Sequence, residues 1–168
     1  MENNRFSFPR FQKPPVAIIA DDDGAIRDLV ENFVQTILPE ASISSHEDGL
    51  PALQEVQSLA KTIGSSVRMI YSDQMMKTHG LDFYKGVRRI PGLKNTPFLM
   101  ASGGMPSSLR EELSRATEND ENFRFLEKPF GLAQFTEVTK GLLGVRSSIQ
   151  RIQGKNPSAP KVIDKIDF

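Results

Sequence analysis

The sequence contains no cysteine and only two histidines among its 168 residues. The lack of cysteine excludes disulfides, zinc–thiolate sites and thiol nucleophiles, and two histidines argue against a histidine-rich metal site. No apolar run approaches the roughly 18 residues that a membrane span requires. The first residues, MENNRFSFPRFQKPP, also lack the continuous apolar core of a signal peptide. These absences predict a cytoplasmic protein without a membrane span.

The sequence also has no excess of charge of either sign. Lys and Arg total 21 and Asp and Glu total 21, so no global attraction to nucleic acid is expected. The charges are nevertheless segregated, because residues 1–15 and 145–168 are basic whereas 16–144 are acidic. The length suits one domain of ordinary size. We therefore predict a flexible N-terminal arm (1–15), one domain (16–144) and a basic C-terminal tail (145–168).

The tail has one further pattern. Val145, Ile149 and Ile152 have a spacing that would prolong the last helix, before Pro157 and Pro160 favour a loose end. Such an extension would suit a weak homodimer, which stays a hypothesis.

Short apolar runs alternate with amphipathic stripes through the central segment. Residues 16–20, 67–72 and 98–101 have the apolar, β-branched or aromatic composition of buried strands. Helical stripes follow, such as the i, i+3, i+4, i+7 pattern that begins at Ile26. Five β-α repeats in a row require crossover connections. The sequence therefore predicts a doubly wound (βα)5 α/β domain around a central five-stranded parallel sheet.

Local signals predict how some helices begin. Asp23 is either a helix N-cap or a further metal ligand, and we favour the cap. Ser108, with Glu111 three residues later, has the spacing of a capping box. Arg27, in the first helix, is expected to be solvated.

Polar side chains follow four of the predicted strands. Asp21 and Asp22 follow the first strand, Asp73 the third, Ser102 the fourth and Lys128 the fifth. Ligands of such sheets bind at the carboxyl ends of the strands. Carboxylates without histidine or cysteine favour a hard cation such as Mg2+, and an aspartate can also act as a nucleophile. The components for phosphorylating an aspartate are therefore expected at one edge of the sheet.

This constellation resembles the receiver domain of response regulators, the family of the bacterial chemotaxis regulator. The resemblance covers about residues 16–144. It rests on the acidic pair after the first strand and on Arg27 in the following helix. It also rests on the segments YSDQMM (71–76), FLMASGG (98–104) and Lys128-Pro129-Phe130. It implies the flavodoxin-like strand order 2-1-3-4-5.

The resemblance also implies a role for each residue of the site. Asp73 would accept the phosphoryl group, and Lys128 would pair first with Asp73 and then with that group. Asp21 and Asp22 would organise Mg2+ together with Asp73, directly or through water. The backbone carbonyl of Met75 would be a further ligand.

Two residues are implied to couple this chemistry to a surface. Ser102 would hydrogen-bond the phosphoryl group, and Phe125 would move into the space that Ser102 leaves. The surface formed by the fourth helix, fifth strand and fifth helix would then change toward a downstream protein. The implied function is a phosphorylation-dependent switch of a two-component phosphorelay. A histidine kinase or histidine phosphotransfer protein would supply the phosphoryl group. No enzyme activity is implied beyond self-phosphoryl transfer and autodephosphorylation on Asp73, and the short tail implies a stand-alone receiver.

The chain departs from the family beside the acceptor. Lys77 replaces a usual proline, and the loop from Asp73 to Gly80 is one residue shorter. We expect Lys77 to point into water. This altered loop leaves an alternative open, in which the domain docks partners without being phosphorylated.

A second alternative is an enzyme. The run Asp21-Asp22-Asp23-Gly24 also fits the DxDG signature of haloacid-dehalogenase-type phosphatases, with Asp21 as nucleophile and Asp23 as general acid. That family needs a further acidic loop after the lysine, and no such loop follows Lys128.

Overall fold

Five strands and five helices alternate in a computed structural model that describes residues 13–62 and 66–144. The strands are β1 (Val16–Ala20), β2 (Ser42–His46), β3 (Val67–Asp73), β4 (Phe98–Ser102) and β5 (Phe123–Glu127). The helices are α1 (Gly24–Ile37), α2 (Gly49–Lys61), α3 (Gly80–Arg88), α4 (Ser107–Thr117) and α5 (Leu132–Leu142). The predicted β-α alternation is therefore confirmed.

The five strands form one parallel sheet. Their order is β2-β1-β3-β4-β5, and every neighbouring pair runs parallel. The chain leaves β1 toward β2 on one side and returns to β3 on the other side. The strand order thus reverses between β1 and β3, which is where ligands of doubly wound sheets bind. Both the fold class and the strand order agree with the prediction.

Helices cover both faces of the sheet. Because successive strand residues point to opposite faces, Ile18 and Ile70 pack with α2, α3 and α4. Ile19 and Tyr71 pack on the other face with α1 and α5. Strands buried on both faces need near-continuous apolar sequence, which explains the short apolar runs.

The predicted helix starts are partly correct. Asp23 caps α1, since its side chain accepts hydrogen bonds from the backbone N–H of Ala25 and Ile26. The capping box at Ser108 is wrong, because α4 already begins at Ser107. Pro106 takes the N-cap position with φ −57° and without a side-chain cap. Ser108 therefore lies inside the first turn, where it cannot cap the helix.

The described chain ends just beyond α5. Gly144 adopts φ +68°, a left-handed conformation that commonly terminates helices. The proposed helix prolongation through Val145, Ile149 and Ile152 lies outside the described residues, as does the arm before residue 13. Among the residues that are described, no helix is long and apolar enough to cross a membrane.

Candidate functional site

Three elements bring Asp21, Asp73 and Lys128 together at the strand-order reversal. Asp21 directly follows β1, and Asp73 is the last residue of β3. β1 and β3 are paired, with Ala20 opposite Ser72, so the two carboxylates come from adjacent strand ends. Lys128 follows β5, and its side chain extends back to the middle of the sheet edge. The peptide bond from Lys128 to Pro129 is cis.

The Lys128 ammonium group bridges the two carboxylates. Its Nζ lies 2.8 Å from Asp21 Oδ2 and 2.6 Å from Asp73 Oδ1. Asp21 is completely buried and Asp73 is 4% exposed. When all three groups are ionised, two negative charges share one positive charge. The cluster therefore has an excess negative charge that would attract a cation.

The ionisation of this cluster reflects burial and pairing. Burial raises the pKa of Asp21 above its ordinary value, although the hydrogen bond and charge of Lys128 partly oppose this. Burial lowers the pKa of Lys128, but hydrogen bonds to Asp21 and Asp73 outweigh burial and raise it overall. The lysine is thus held in its charged form between the two carboxylates.

The loop after β3 binds the second carboxylate oxygen of Asp73, the one that Lys128 does not contact. The backbone N–H of Met75 donates to Asp73 Oδ2 over 2.5 Å. The start of α3 packs directly on this strand end, because a Cβ added to Gly80 would lie 2.4 Å from the Asp73 carbonyl oxygen. Only glycine permits this approach without a shift of backbone. The Asp73 carboxylate is therefore fixed by both Lys128 and its own loop.

A second contact holds the far end of the same loop. Asp48, the N-cap of α2, accepts hydrogen bonds from the backbone N–H of Thr78 (2.6 Å) and from Thr78 Oγ1 (2.7 Å). Burial raises the pKa of Asp48, but the hydrogen bonds from Thr78 and the start of α2 lower it overall. The loop beside Asp73 is thus tied to the neighbouring helix.

Ser102 is the last residue of β4, and Phe125 lies in the middle of the neighbouring strand β5. Ser102 is buried, and its hydroxyl donates to the Gly104 carbonyl oxygen over 2.9 Å and accepts from the Gly104 N–H at 3.3 Å. The hydroxyl is therefore engaged within its own loop, just before α4. Phe125 is 7% exposed and belongs to the core between the sheet and α2, α3 and α4.

The remaining sequence-predicted residues lie at the margin of the site. Asp22 is exposed, Met75 is 43% exposed, and Lys77 is exposed as predicted. The expectation that Arg27 is solvated is wrong, because its Nη1 donates to the Asp21 carbonyl oxygen over 2.6 Å. Arg27 lies one turn into α1, close enough to β1 for its long side chain to reach back to the strand end.

Sequence reasoning missed Tyr71 and the Asp48–Thr78 contact. The hydroxyl of Tyr71 donates to Asp21 Oδ2 over 3.1 Å inside the core. Its position two residues before Asp73 places both side chains on the same face of β3, which was the available signal. Asp48 and Thr78 are separated by 30 residues, and no local pattern indicates their pairing.

The donor set fits Mg2+ better than a metal that needs many side-chain ligands. Within residues 13–62 and 66–144, no three His, Cys, Asp or Glu side chains converge on one point. Mg2+, however, is usually bound by one or two carboxylates and keeps several waters. Asp21 and Asp73 supply two carboxylates that already share one cation, the ammonium group of Lys128. These residues are therefore compatible with Mg2+.

Comparison with solved structures gives the fold a family context. The chemotaxis protein CheY4 of Vibrio cholerae is 24% identical, with a TM-score of 0.60 over 77% of this chain and 98% of that chain. A response regulator receiver protein of Sinorhizobium medicae is 20% identical, with a TM-score of 0.61 over 80% and 98% of the two chains. The fold is that of a receiver domain.

A third receiver structure supports the same conclusion. A signal receiver domain of a two-component histidine kinase from Clostridium thermocellum is 16% identical, with a TM-score of 0.62 over 79% of this chain and 98% of that chain. No family model matches the sequence, and no curated protein matches it. At these identities the comparisons show the receiver fold, whereas the roles of the individual site residues stay predictions.

Proposed function

We propose that this receiver-fold protein is a phosphorylation-dependent switch of two-component signalling. The observation that carries the proposal is the Lys128 bridge between Asp21 and Asp73 at the strand-order reversal. Asp73 is the acceptor, because it is the carboxylate that lies at the end of β3 and is oriented by both Lys128 and the Met75 N–H. Beyond this self-phosphorylation and its reversal by hydrolysis, no catalytic activity is proposed.

The chemical step transfers a phosphoryl group from a phosphohistidine of a kinase or phosphotransfer protein. A carboxylate oxygen of Asp73 attacks phosphorus, the P–N bond to the imidazole breaks, and a P–O bond forms. The leaving imidazole retains the electron pair of the P–N bond and takes a proton from solvent water. Lys128, already 2.6 Å from Asp73, balances negative charge on the transferred group.

Asp21, Asp22, Asp73 and the Met75 carbonyl would hold Mg2+ beside the acceptor. The bound ion supplies further positive charge to the phosphoryl oxygens. Hydrogen bonds orient both buried carboxylates, since Asp21 accepts three and Asp73 accepts two, on both oxygens in each case. Asp22, which is exposed, acts at the solvent side of the site.

Ser102 and Phe125 would carry the signal away from Asp73. To reach the phosphoryl group, the Ser102 hydroxyl gives up its hydrogen bonds with Gly104. This releases the loop that leads into α4, and Met105 and Leu109, which pack against the core containing Phe125, move with it. The surface of α4, β5 and α5, to which a downstream protein would bind, thereby changes its conformation.

The edge around the acceptor also has features of a docking face. Of the described residues, four large hydrophobic side chains are exposed, and these are Leu29, Leu50, Met75 and Leu132. Leu50 and Leu132 lie in the first turns of α2 and α5, and Met75 follows the acceptor by two residues. Because these helices begin at the acceptor edge, a phosphodonor protein would contact these residues while presenting its histidine to Asp73.

A second candidate function is a docking module that is never phosphorylated. One feature favours it: Lys77, an exposed residue of the loop beside Asp73, stands where the family that the sequence resembles usually has a proline. The phosphatase alternative receives less support, because Asp23 Oδ1 is engaged in capping α1 rather than poised as a general acid.

Small-molecule phosphodonors test the proposal directly. Wild type, Asp73→Asn and the control Asp82→Asn are incubated with acetyl phosphate, with and without Mg2+, and their intact masses are measured. Asp82 is an exposed carboxylate in the first turn of α3. We expect one Mg2+-dependent phosphoryl adduct in wild type and Asp82→Asn, and none in Asp73→Asn. An adduct that persists in Asp73→Asn, or its absence from folded wild type, would contradict the proposal, and the second result favours the docking module.

A further inference from the structure

Tyr71 is buried beside the candidate site without having been assigned a role in it. It lies on β3 with no exposed surface, and its ring packs against the rings of Phe130 and Phe135, at centroid distances of 6.3 and 6.2 Å. Its hydroxyl is directed away from this apolar contact toward Asp21 Oδ2, at 3.1 Å. The aromatic packing thus fixes the direction in which the hydroxyl points.

Within residues 13–62 and 66–144, three donors of different kinds hold the Asp21 carboxylate. The backbone N–H of Asp23 donates to Oδ1 over 3.1 Å, whereas Tyr71 and Lys128 both donate to Oδ2. Lys128 is shared with Asp73, and under the proposed function it follows the phosphoryl group. Of the two side-chain donors to Asp21 in the described part of the chain, the Tyr71 hydroxyl is the one that is not shared with the acceptor.

We propose that Tyr71 is a positioning residue that orients the Asp21 carboxylate for binding Mg2+. The inference rests on the proposed function, because it concerns the same site. A carboxylate that is free to rotate loses affinity for a metal ion, and hydrogen-bonded partners behind a ligand prevent that rotation. Tyr71 keeps Asp21 oriented whether or not Lys128 is bound to it.

Tyr84 provides a matched control. It is also a buried tyrosine in an aromatic cluster, and its hydroxyl donates to Asp120 Oδ2 over 2.8 Å. Tyr71→Phe and Tyr84→Phe each remove one O–H donor to a carboxylate and keep the ring. Only Tyr71→Phe removes a donor to Asp21, so a difference between the variants isolates the effect on the site.

The first measurement is the affinity for Mg2+ alone, from chemical-shift titrations of wild type and both variants. Thermal unfolding curves establish that each variant is folded. We expect Tyr71→Phe to bind Mg2+ about tenfold more weakly or worse, the range found when a ligand loses its hydrogen-bonded partner. Tyr84→Phe is expected to bind as wild type does.

The second measurement uses tyrosine emission and does not depend on the folding of Tyr71→Phe. The chain has no tryptophan and two tyrosines, so Tyr84→Phe leaves Tyr71 as the only tyrosine. We expect its emission to change saturably with Mg2+, at the same concentrations as the chemical shifts. A tyrosine emission that stays unchanged when Mg2+ binds would overturn the inference.

The outcomes separate this inference from the proposed function. Equal Mg2+ affinity in all three proteins overturns the role of Tyr71 and leaves the proposed function standing. Absence of Mg2+ binding in folded wild type contradicts both. A selective loss in Tyr71→Phe, with an emission response in Tyr84→Phe, supports the inference.

Discussion

Replacing Lys128 with methionine tests whether Asp21 and Asp73 are held together by one shared cation. The substitution keeps an unbranched side chain but leaves two buried carboxylates facing each other. Each charged hydrogen bond contributes about 1.5–3 kcal/mol, and removing one partner of a buried ion pair costs about 3–5 kcal/mol. Because the Lys128 side chain is 18% exposed and partly hydrated, we expect a loss near the lower limit, about 3 kcal/mol at neutral pH.

This loss should depend on pH with a defined sign. Burial raises the pKa of Asp21, and Lys128 opposes this through its hydrogen bond and charge. Without Lys128 the pKa of Asp21 rises further above its unfolded value. The folded variant then binds a proton more readily than the unfolded chain, so its stability increases as the pH falls through the raised pKa. Mg2+ should also recover stability, because it binds only the folded carboxylate pair.

Urea unfolding followed by far-UV circular dichroism measures these effects at neutral and mildly acidic pH, with and without Mg2+. Lys77→Met is the control, since Lys77 is an exposed lysine close in sequence to Asp73, and a change within about 0.5 kcal/mol is expected. A Lys128→Met variant that loses less than about 1 kcal/mol would refute the reasoning. So would a loss that neither acid nor Mg2+ reduces.

Two further predictions concern the loop after β3. Asp48→Ala should cost about 2 kcal/mol, because it removes a helix cap and the acceptor for both donors of Thr78. Hydrogen bonds outweigh the effect of burial and hold the pKa of Asp48 below its ordinary value of 3.8. The stability that its carboxylate contributes is therefore full above pH 3.8 and is lost as the pH falls through the lowered pKa. Urea unfolding at several pH values checks this, with Glu47→Ala as control, and a stability difference that does not depend on pH would contradict it. Gly80→Ala should destabilise the fold by about 1–3 kcal/mol and slow adduct formation, because the new Cβ would lie 2.4 Å from the backbone carbonyl of the proposed acceptor. Unfolding and intact-mass kinetics measure both effects, and they should be absent in Gly141→Ala, where a Cβ meets nothing within 4 Å.

The sequence predicted those features that depend on local periodicity. Apolar runs such as 16–20 are distinctive because parallel strands are buried on both faces, and the stripe of α1 follows from a helix with one buried face. Once five β-α units are recognised, crossover connections restrict the sheet to a parallel arrangement. The strand order came from the resemblance, and the structure confirms it.

The proximity of Asp21, Asp73 and Lys128 was also predictable, because parallel strand ends meet at one edge. Periodicity could not reveal contacts in which a long side chain of one helix or strand extends to a different element. Arg27 extends back to the Asp21 carbonyl oxygen, and Tyr71 contacts Asp21 across 50 residues of sequence. The capping box at Ser108 failed for a local reason, since Pro106 starts α4 two residues earlier than the motif implies.

Locating the phosphoryl group on the chain tests the central claim most directly. Wild-type protein phosphorylated with acetyl phosphate and Mg2+ is reduced with borohydride, which converts an aspartyl phosphate to homoserine, and is then digested with trypsin. Asp73 falls in the peptide of residues 69–77, whereas the run beginning at Asp21 falls in a peptide that ends at Arg27. The proposed switch predicts homoserine at position 73 alone. Homoserine at position 21, or its absence from both peptides in folded protein, would contradict it.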